Sequence, residues 1–101
     1  MFKSIYKRIV EDFAFLNDYG YYFEYNLPHH VTPSVIFRSD KEELGIGYSR
    51  EEDRVYLTRY ISYDPFLYEN LLDGVSITGR SYKDQVGQVK DFLLKYLTSK
   101  Q

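Results

Sequence analysis

The sequence has no cysteine and no tryptophan, and its 101 residues include only three prolines. The absence of cysteine excludes disulfide bonds, thiolate catalysis and cysteine-based metal sites. No apolar run approaches the length of a transmembrane helix, and the first residues lack the apolar segment of a secretory signal. We therefore expect a cytoplasmic protein with no membrane partner.

The sequence also lacks an excess of charge of one sign. Thirteen Lys and Arg residues stand against 15 Asp and Glu residues, so the formal net charge is -2. This balance argues against a non-specific nucleic-acid binder, which needs many phosphate contacts, although it leaves room for a small basic patch. The length and the ordinary apolar content fit one globular domain over residues 1–101.

Aromatic residues are abundant, with 12 Tyr and 7 Phe among the 101 residues. One interpretation is a small core with tyrosines at its edges, because tyrosine favours strands and half-buried positions. The other is a tyrosine-rich recognition surface, because tyrosine is enriched at protein interfaces. Both interpretations stay open at this point.

Two segments have the three- and four-residue apolar spacing of amphipathic helices. The first covers residues 2–17, and Phe15 lies on its polar side. Either this helix ends before Phe15, or the side chain contacts something outside the core. The second covers residues 82–98, and Ser81 and Asp84 resemble a capping box at its start.

A shorter helix is predicted over residues 64–74, between two ends with helix-terminating chemistry. Asp64 can cap it, Pro65 suits its first position and Gly74 can close it. Residues 75–80 read as an extended link or a short edge strand.

Four antiparallel strands are predicted over residues 21–27, 34–39, 43–49 and 54–61. A turn at Asp40–Lys41 and a turn at Glu51–Glu52 together place Ile46 between Val35 and Leu57. Both hairpins then put their apolar residues on the same face, and a one-residue slip in either would destroy the agreement. In the first strand, simple alternation predicts that one face is shared by Tyr21, Phe23, Tyr25 and Leu27.

These elements predict a two-layer α+β fold, a four-stranded antiparallel meander with N- and C-terminal helices packed on one face. The side chains expected beneath the helices are Val35, Phe37, Leu44, Ile46, Tyr48, Val55, Leu57 and Ile61. The other face is then left open.

Gly45 and Gly47, both poor strand formers, fall together on this open face. In one interpretation the ring of Tyr56 lies over Gly47 and shields its backbone. In another the glycines form the floor of a shallow binding surface. In the third a bulge moves the glycines out of this register. The residues expected to bind a partner are Tyr22, Ile36, Arg38, Gly45, Gly47, Tyr56, Thr58 and Tyr60.

Few residues suggest chemistry. His29 and His30 point to opposite sides of an extended segment, which makes them a poor metal-chelating pair. Arg80 and Ser81 precede a helix N-terminus, which favours anions, although helix capping by Ser81 explains them as well. No catalytic residue, metal site or cofactor is predicted, because no Ser or Thr has a companion base at recognisable spacing.

The stretch "DFAFLNDYGYYFEY" at residues 12–25, followed by the meander, resembles small uncharacterised bacterial proteins in which a helix precedes an antiparallel sheet. Some proteins of this build are similar to toxin-immunity proteins. The resemblance covers about the first 60 residues and brings no active-site residue with it. It implies a small protein that works by binding.

The leading hypothesis is a non-enzymatic protein-interaction protein, immunity- or adaptor-like, that binds another protein through the open face. A homodimer through the same face is a variant of this hypothesis. The alternative is a small-ligand or anion-binding domain, or an enzyme, with a site at Arg80 and Ser81.

Overall fold

A computed structural model describes residues 4–28, 32–60 and 68–99. One antiparallel sheet is formed by β1 (Tyr22–Leu27), β2 (Ser34–Arg38), β3 (Glu43–Ser49), β4 (Arg54–Tyr60) and β5 (Tyr68–Asn70). The strands lie in chain order, so each pairs only with its neighbours in the sequence. The helices are α1 (Ile5–Asp12), a 3₁₀ helix (Ala14–Tyr19) and α2 (Tyr82–Ser99).

The sheet has five strands, whereas four were predicted. The strand that was not predicted is β5. β5 falls inside the helix predicted over residues 64–74, of which residues 64–67 lie outside the described chain. Pairing with β4 overrides the helical signals, because Arg59 bonds Glu69 at 2.9 Å across the two strands and the Leu71 N–H donates to the Leu57 carbonyl. The helix prediction for residues 68–74 is therefore wrong.

The helices pack on one face of the sheet, as predicted. Ile9 of α1, Leu16 of the 3₁₀ helix and Leu93 of α2 join one buried cluster with the sheet residues Val35, Phe37, Leu44, Ile46, Val55 and Leu57. Tyr48 packs against this cluster, and Ile61 lies outside the described residues. No helix in the described part of the chain is long and apolar enough to cross a membrane.

The N-terminal helix ends before Phe15, which confirms the first of the two alternatives. The α-helix stops at Asp12, and the chain continues as a 3₁₀ helix. Phe13 and Leu16 are both fully buried, and residues three apart align in a 3₁₀ helix, so the tighter helix keeps both in the core. The ring of Phe15 then lies 6.0 Å from that of Phe13.

A β-bulge at Glu24 changes which side chains of β1 share a face. Phe23 lies opposite Phe37, whereas Tyr25 lies opposite Ile36, because one extra residue is inserted between them. The prediction of simple alternation along β1 is therefore wrong after Phe23. Tyr25 and the following Leu27 lie on the open face instead.

Gln85 ties α2 to the start of β4. Its side-chain oxygen accepts a hydrogen bond from the Val55 N–H at 2.8 Å, and its amide nitrogen donates to the Asp53 and Gly79 carbonyls. Only 3% of Gln85 is exposed. Its hydrogen bonds therefore satisfy polar groups that water reaches poorly.

Candidate functional site

The open face is the sheet surface opposite the helices. The predicted register is confirmed and places both glycines here, since Gly47 lies between Ser34 and Tyr56, and Gly45 lies between Ile36 and Thr58. All eight residues predicted to bind a partner lie on this face. Together with their neighbours the open face comprises Tyr22, Tyr25, Leu27, Ser34, Ile36, Arg38, Glu43, Gly45, Gly47, Tyr56, Thr58, Tyr60, Tyr68 and Asn70.

A groove of about 510 Å³ crosses the open face. Its floor includes Gly45 and Gly47, and no charged side chain is among the described residues that line it. Those residues are Leu27, Pro28, Thr32, Ser34, Gly45, Gly47, Tyr56, Thr58, Tyr60 and Tyr68. An uncharged groove lined by tyrosines and small polar side chains suits an uncharged segment of a partner.

Ile36 is not available to a partner, because only 1% of it is exposed. Its Cδ1 and the ring of Tyr60 both lie over Gly45, where a Cβ would come within 3.3 Å of Ile36 Cδ1 and 3.1 Å of Tyr60 Cε2. Gly45 therefore leaves room for the protein's own side chains. Burial, followed by the nearby Tyr25, Glu43 and Tyr68, raises the pKa of Tyr60 above its ordinary value.

Gly47 lies close to the segment that precedes β2, since the three atoms nearest to its Cβ position belong to Thr32, Pro33 and Ser34. A Cβ there would collide with Ser34 Oγ and lie 3.2 Å from the Pro33 carbonyl oxygen. The same carbonyl accepts a hydrogen bond from the Tyr48 N–H at 3.2 Å, which fixes the crossing. Tyr56 instead donates to Glu52 at 2.5 Å. The atoms nearest to Gly47 thus belong to a crossing segment, whereas the Tyr56 ring was expected to shield it.

Among the described residues, the large apolar side chains that remain exposed lie on the two edge strands. Tyr22 is 60% exposed, Tyr25 43% and Tyr68 64%. Tyr25, Leu27 and Tyr68 were not predicted as site residues, because the bulge and β5 were not predicted. Tyr25 and Leu27 would have been predicted on this face only if the register had included one extra residue at Glu24.

Arg38 is the cation that the predicted register placed on the open face, and it is fully engaged. It forms ion pairs with Glu43 at 3.1 Å and with Glu24 at 3.2 Å. Burial and then these two carboxylates raise the pKa of the adjacent Tyr25, whereas Arg38 opposes the rise. This corner of the face therefore has no positive charge left over for a phosphate backbone.

The alternative anion site at Arg80 and Ser81 forms the predicted capping arrangement. Ser81 Oγ accepts from the Asp84 N–H at 3.2 Å, and the Asp84 carboxylate accepts from the Arg80 N–H at 3.4 Å. Of the two, Ser81 lines a cleft on the helix side of the molecule. His29 and His30 lie outside the described residues, and the residues that are described bring no three metal-binding side chains together.

Comparisons with protein-family models, curated proteins and solved structures found no match. The resemblance of residues 12–25 to immunity-like proteins therefore stays a prediction. The geometry of the open face is the basis for the function proposed below.

Proposed function

We propose that this protein is a small non-enzymatic interaction protein that binds another protein through its open face. The observation that carries the proposal is the exposure of Tyr22, Tyr25 and Tyr68 on one side of the sheet. Tyrosine is enriched in binding hot spots because a rigid ring contributes a large contact area at low entropic cost. Exposed aromatic rings on a sheet face that no helix covers are typical of an interaction site.

The groove on the open face, which Tyr56, Tyr60 and Tyr68 help to line, supplies a place for an anchoring segment of the partner. Gly45 and Gly47 are among its lining residues, and Leu27 and Tyr68 contribute apolar surface to it. Binding hot spots typically fill such desolvated pockets while surrounding contacts exclude water. We expect an uncharged, extended or loop segment of the partner to lie there.

A protein partner is favoured over a nucleic acid by the charges around the face. Arg38 is paired with Glu24 and Glu43, so this corner carries a net negative charge. A single-stranded nucleic acid would need cations beside the rings. An immunity- or adaptor-like role in the cytoplasm fits a protein that works by binding, and the products of adjacent genes are the first partners to assay.

The test replaces exposed rings whose loss should leave the fold intact. We expect the double variant Tyr25→Ser/Tyr68→Ser to weaken partner binding about tenfold or more, because each ring is an exposed anchor. The readout is quantitative co-purification from source lysate, followed by calorimetric titration of each enriched partner. Tyr60 is left unchanged, because its ring covers Gly45.

The matched control is Phe23→Ser, an exposed aromatic of the same strand that lies opposite Phe37 on the other side of the sheet. It should retain the partner. Equal loss of partner binding in the control and in the double variant would indicate that the partner binds along the edge of β1. An unchanged set of partners in the double variant would overturn the proposal. Light scattering distinguishes a homodimer, which the double variant alone would dissociate.

A further inference from the structure

A second surface lies on the helix side of the molecule, away from the open face. A cleft of about 230 Å³ is bordered by α1, by the turn between β3 and β4, and by the start of α2. Each of these elements contributes one cation, namely Arg8, Arg50 and Lys83. None of the described residues that line this cleft is acidic.

These three cations have no ion pair within the described chain, unlike Arg38 and Arg59. Like charges gathered at one place repel each other, and a bound anion relieves that repulsion. The formal net charge of the protein is -2, so a cleft with three cations outside ion pairs differs in sign from the protein as a whole. The arrangement therefore favours an anion with more than one negative charge.

The walls of the cleft hold Arg8 in place. Its guanidinium carbon lies 4.8 Å from the centre of the Tyr82 ring, and the Tyr48 ring packs edge-on against Tyr82 at 5.8 Å. The hydroxyls of these tyrosines donate to Asp12 at 2.7 Å and to Asp53 at 3.2 Å. A stacked guanidinium loses less freedom when it binds an anion.

The carboxylates of Asp12 and Asp53, which accept these tyrosine hydrogen bonds, lower the positive potential at the cleft, although neither residue lines it. We therefore expect modest affinity, with a Kd on the order of 1 mM for a small anion. The positive charge comes from side chains and not from the helix N-terminus, because Ser81 Oγ already accepts from the Asp84 N–H.

We infer that this cleft binds a phosphate group through Arg8, Arg50 and Lys83. A phosphate dianion complements three cations better than a carboxylate does, and Arg binds phosphate oxygens in a bidentate manner. The group can come from free phosphate or from a phosphorylated side chain of another protein. This inference is independent of the proposed function, because it uses no residue of the open face.

The test is an NMR titration of the ¹⁵N-labelled full chain with inorganic phosphate at constant ionic strength. We expect saturable shifts at residues 8, 50 and 81–83. The double variant Arg50→Gln/Lys83→Gln should weaken binding about tenfold or more, because charge-assisted hydrogen bonds are lost. Lys95→Gln is the matched control for Lys83→Gln, since Lys95 is another exposed lysine of α2, and it should leave the affinity unchanged.

Shifts that rise linearly without saturation would overturn the inference, as would equal weakening by Lys95→Gln. A phosphoserine peptide and its unphosphorylated form distinguish the two sources. Tighter binding of the phosphopeptide than of inorganic phosphate would identify a phosphorylated protein segment. Equal affinities would identify the phosphate group alone.

Discussion

The two faces of the sheet use the same strands but different side chains. Beneath the helices, Val55 and Leu57 of β4 are fully buried among aliphatic and phenylalanine neighbours. On the open face the same strand presents Tyr56, Thr58 and Tyr60, which remain partly exposed. Tyrosine can lie on a sheet while its hydroxyl stays in water, so the open face stays hydrated without helices over it. Alternation along one strand thus separates the buried core face from the proposed binding face.

Truncation of neighbouring residues on β4 should separate the two faces most strongly. We expect Leu57→Ala to lower the free energy of unfolding by about 2–5 kcal/mol, because it leaves a cavity in the sealed core. Tyr56→Ala, one residue away on the open face, should cost about 1 kcal/mol. Urea denaturation followed by circular dichroism measures both. Equal losses would mean that the open face contributes as much to stability as the core does.

Gly47→Ala tests whether the open face has structural demands of its own. We expect a loss of about 1–3 kcal/mol, because the new Cβ would collide with Ser34 Oγ and crowd the Pro33 carbonyl. Gly87→Ala in α2 is the matched control, since no atom lies within 4 Å of its Cβ position. It should stabilise the protein by about 0.5–1 kcal/mol. Thermal unfolding measures the stability of both variants. If Gly47→Ala leaves the stability unchanged, the crossing segment is not the reason for a glycine at position 47.

Tyr82 predicts a pH effect on the helix side, in addition to the effect expected from the raised pKa values of Tyr25 and Tyr60 on the open face. Burial, followed by the hydrogen bond to Asp12, raises the pKa of Tyr82 above its ordinary value of 10.0. The unfolded chain therefore loses this proton first, so stability is full below about pH 10 and falls above it by up to about 1.4 kcal/mol per pH unit. Tyr82→Phe should show a shallower fall in urea denaturation between about pH 9 and 11. A fall as steep as that of the wild type would assign the effect to other tyrosines.

The hairpin registers could be predicted because two independent turns had to agree on one apolar face. Val35, Ile46 and Leu57 align across three strands only when both turns are correctly placed. β5 could not be predicted in the same way. Its three residues carry little periodic signal, and the flanking Asp64 and Gly74 favour a helix when the pairing with β4 is unknown.

The predicted register identified the central residues of the candidate site but not those on the two edge strands. Gly45 and Gly47 were placed on the correct face, but what lies over each depends on contacts between distant segments. Tyr25 was predicted on the wrong face, because a bulge leaves no mark on the apolar pattern of β1. Periodicity therefore locates a face, whereas side-chain packing determines which of its residues a partner can reach.

The bulge at Glu24 also disfavours edge-to-edge assembly through β1, a strand that displays several apolar side chains. β1 is an edge strand whose six residues are all exposed, and four of them are large and apolar. A regular strand of this composition would be a template onto which further chains could assemble into a continuous sheet. The inserted residue twists the strand and interrupts its hydrogen-bonding repeat, and it places a charge at the centre of the edge. We therefore expect this one irregular residue to oppose aggregation along the β1 edge while the aromatic face stays accessible.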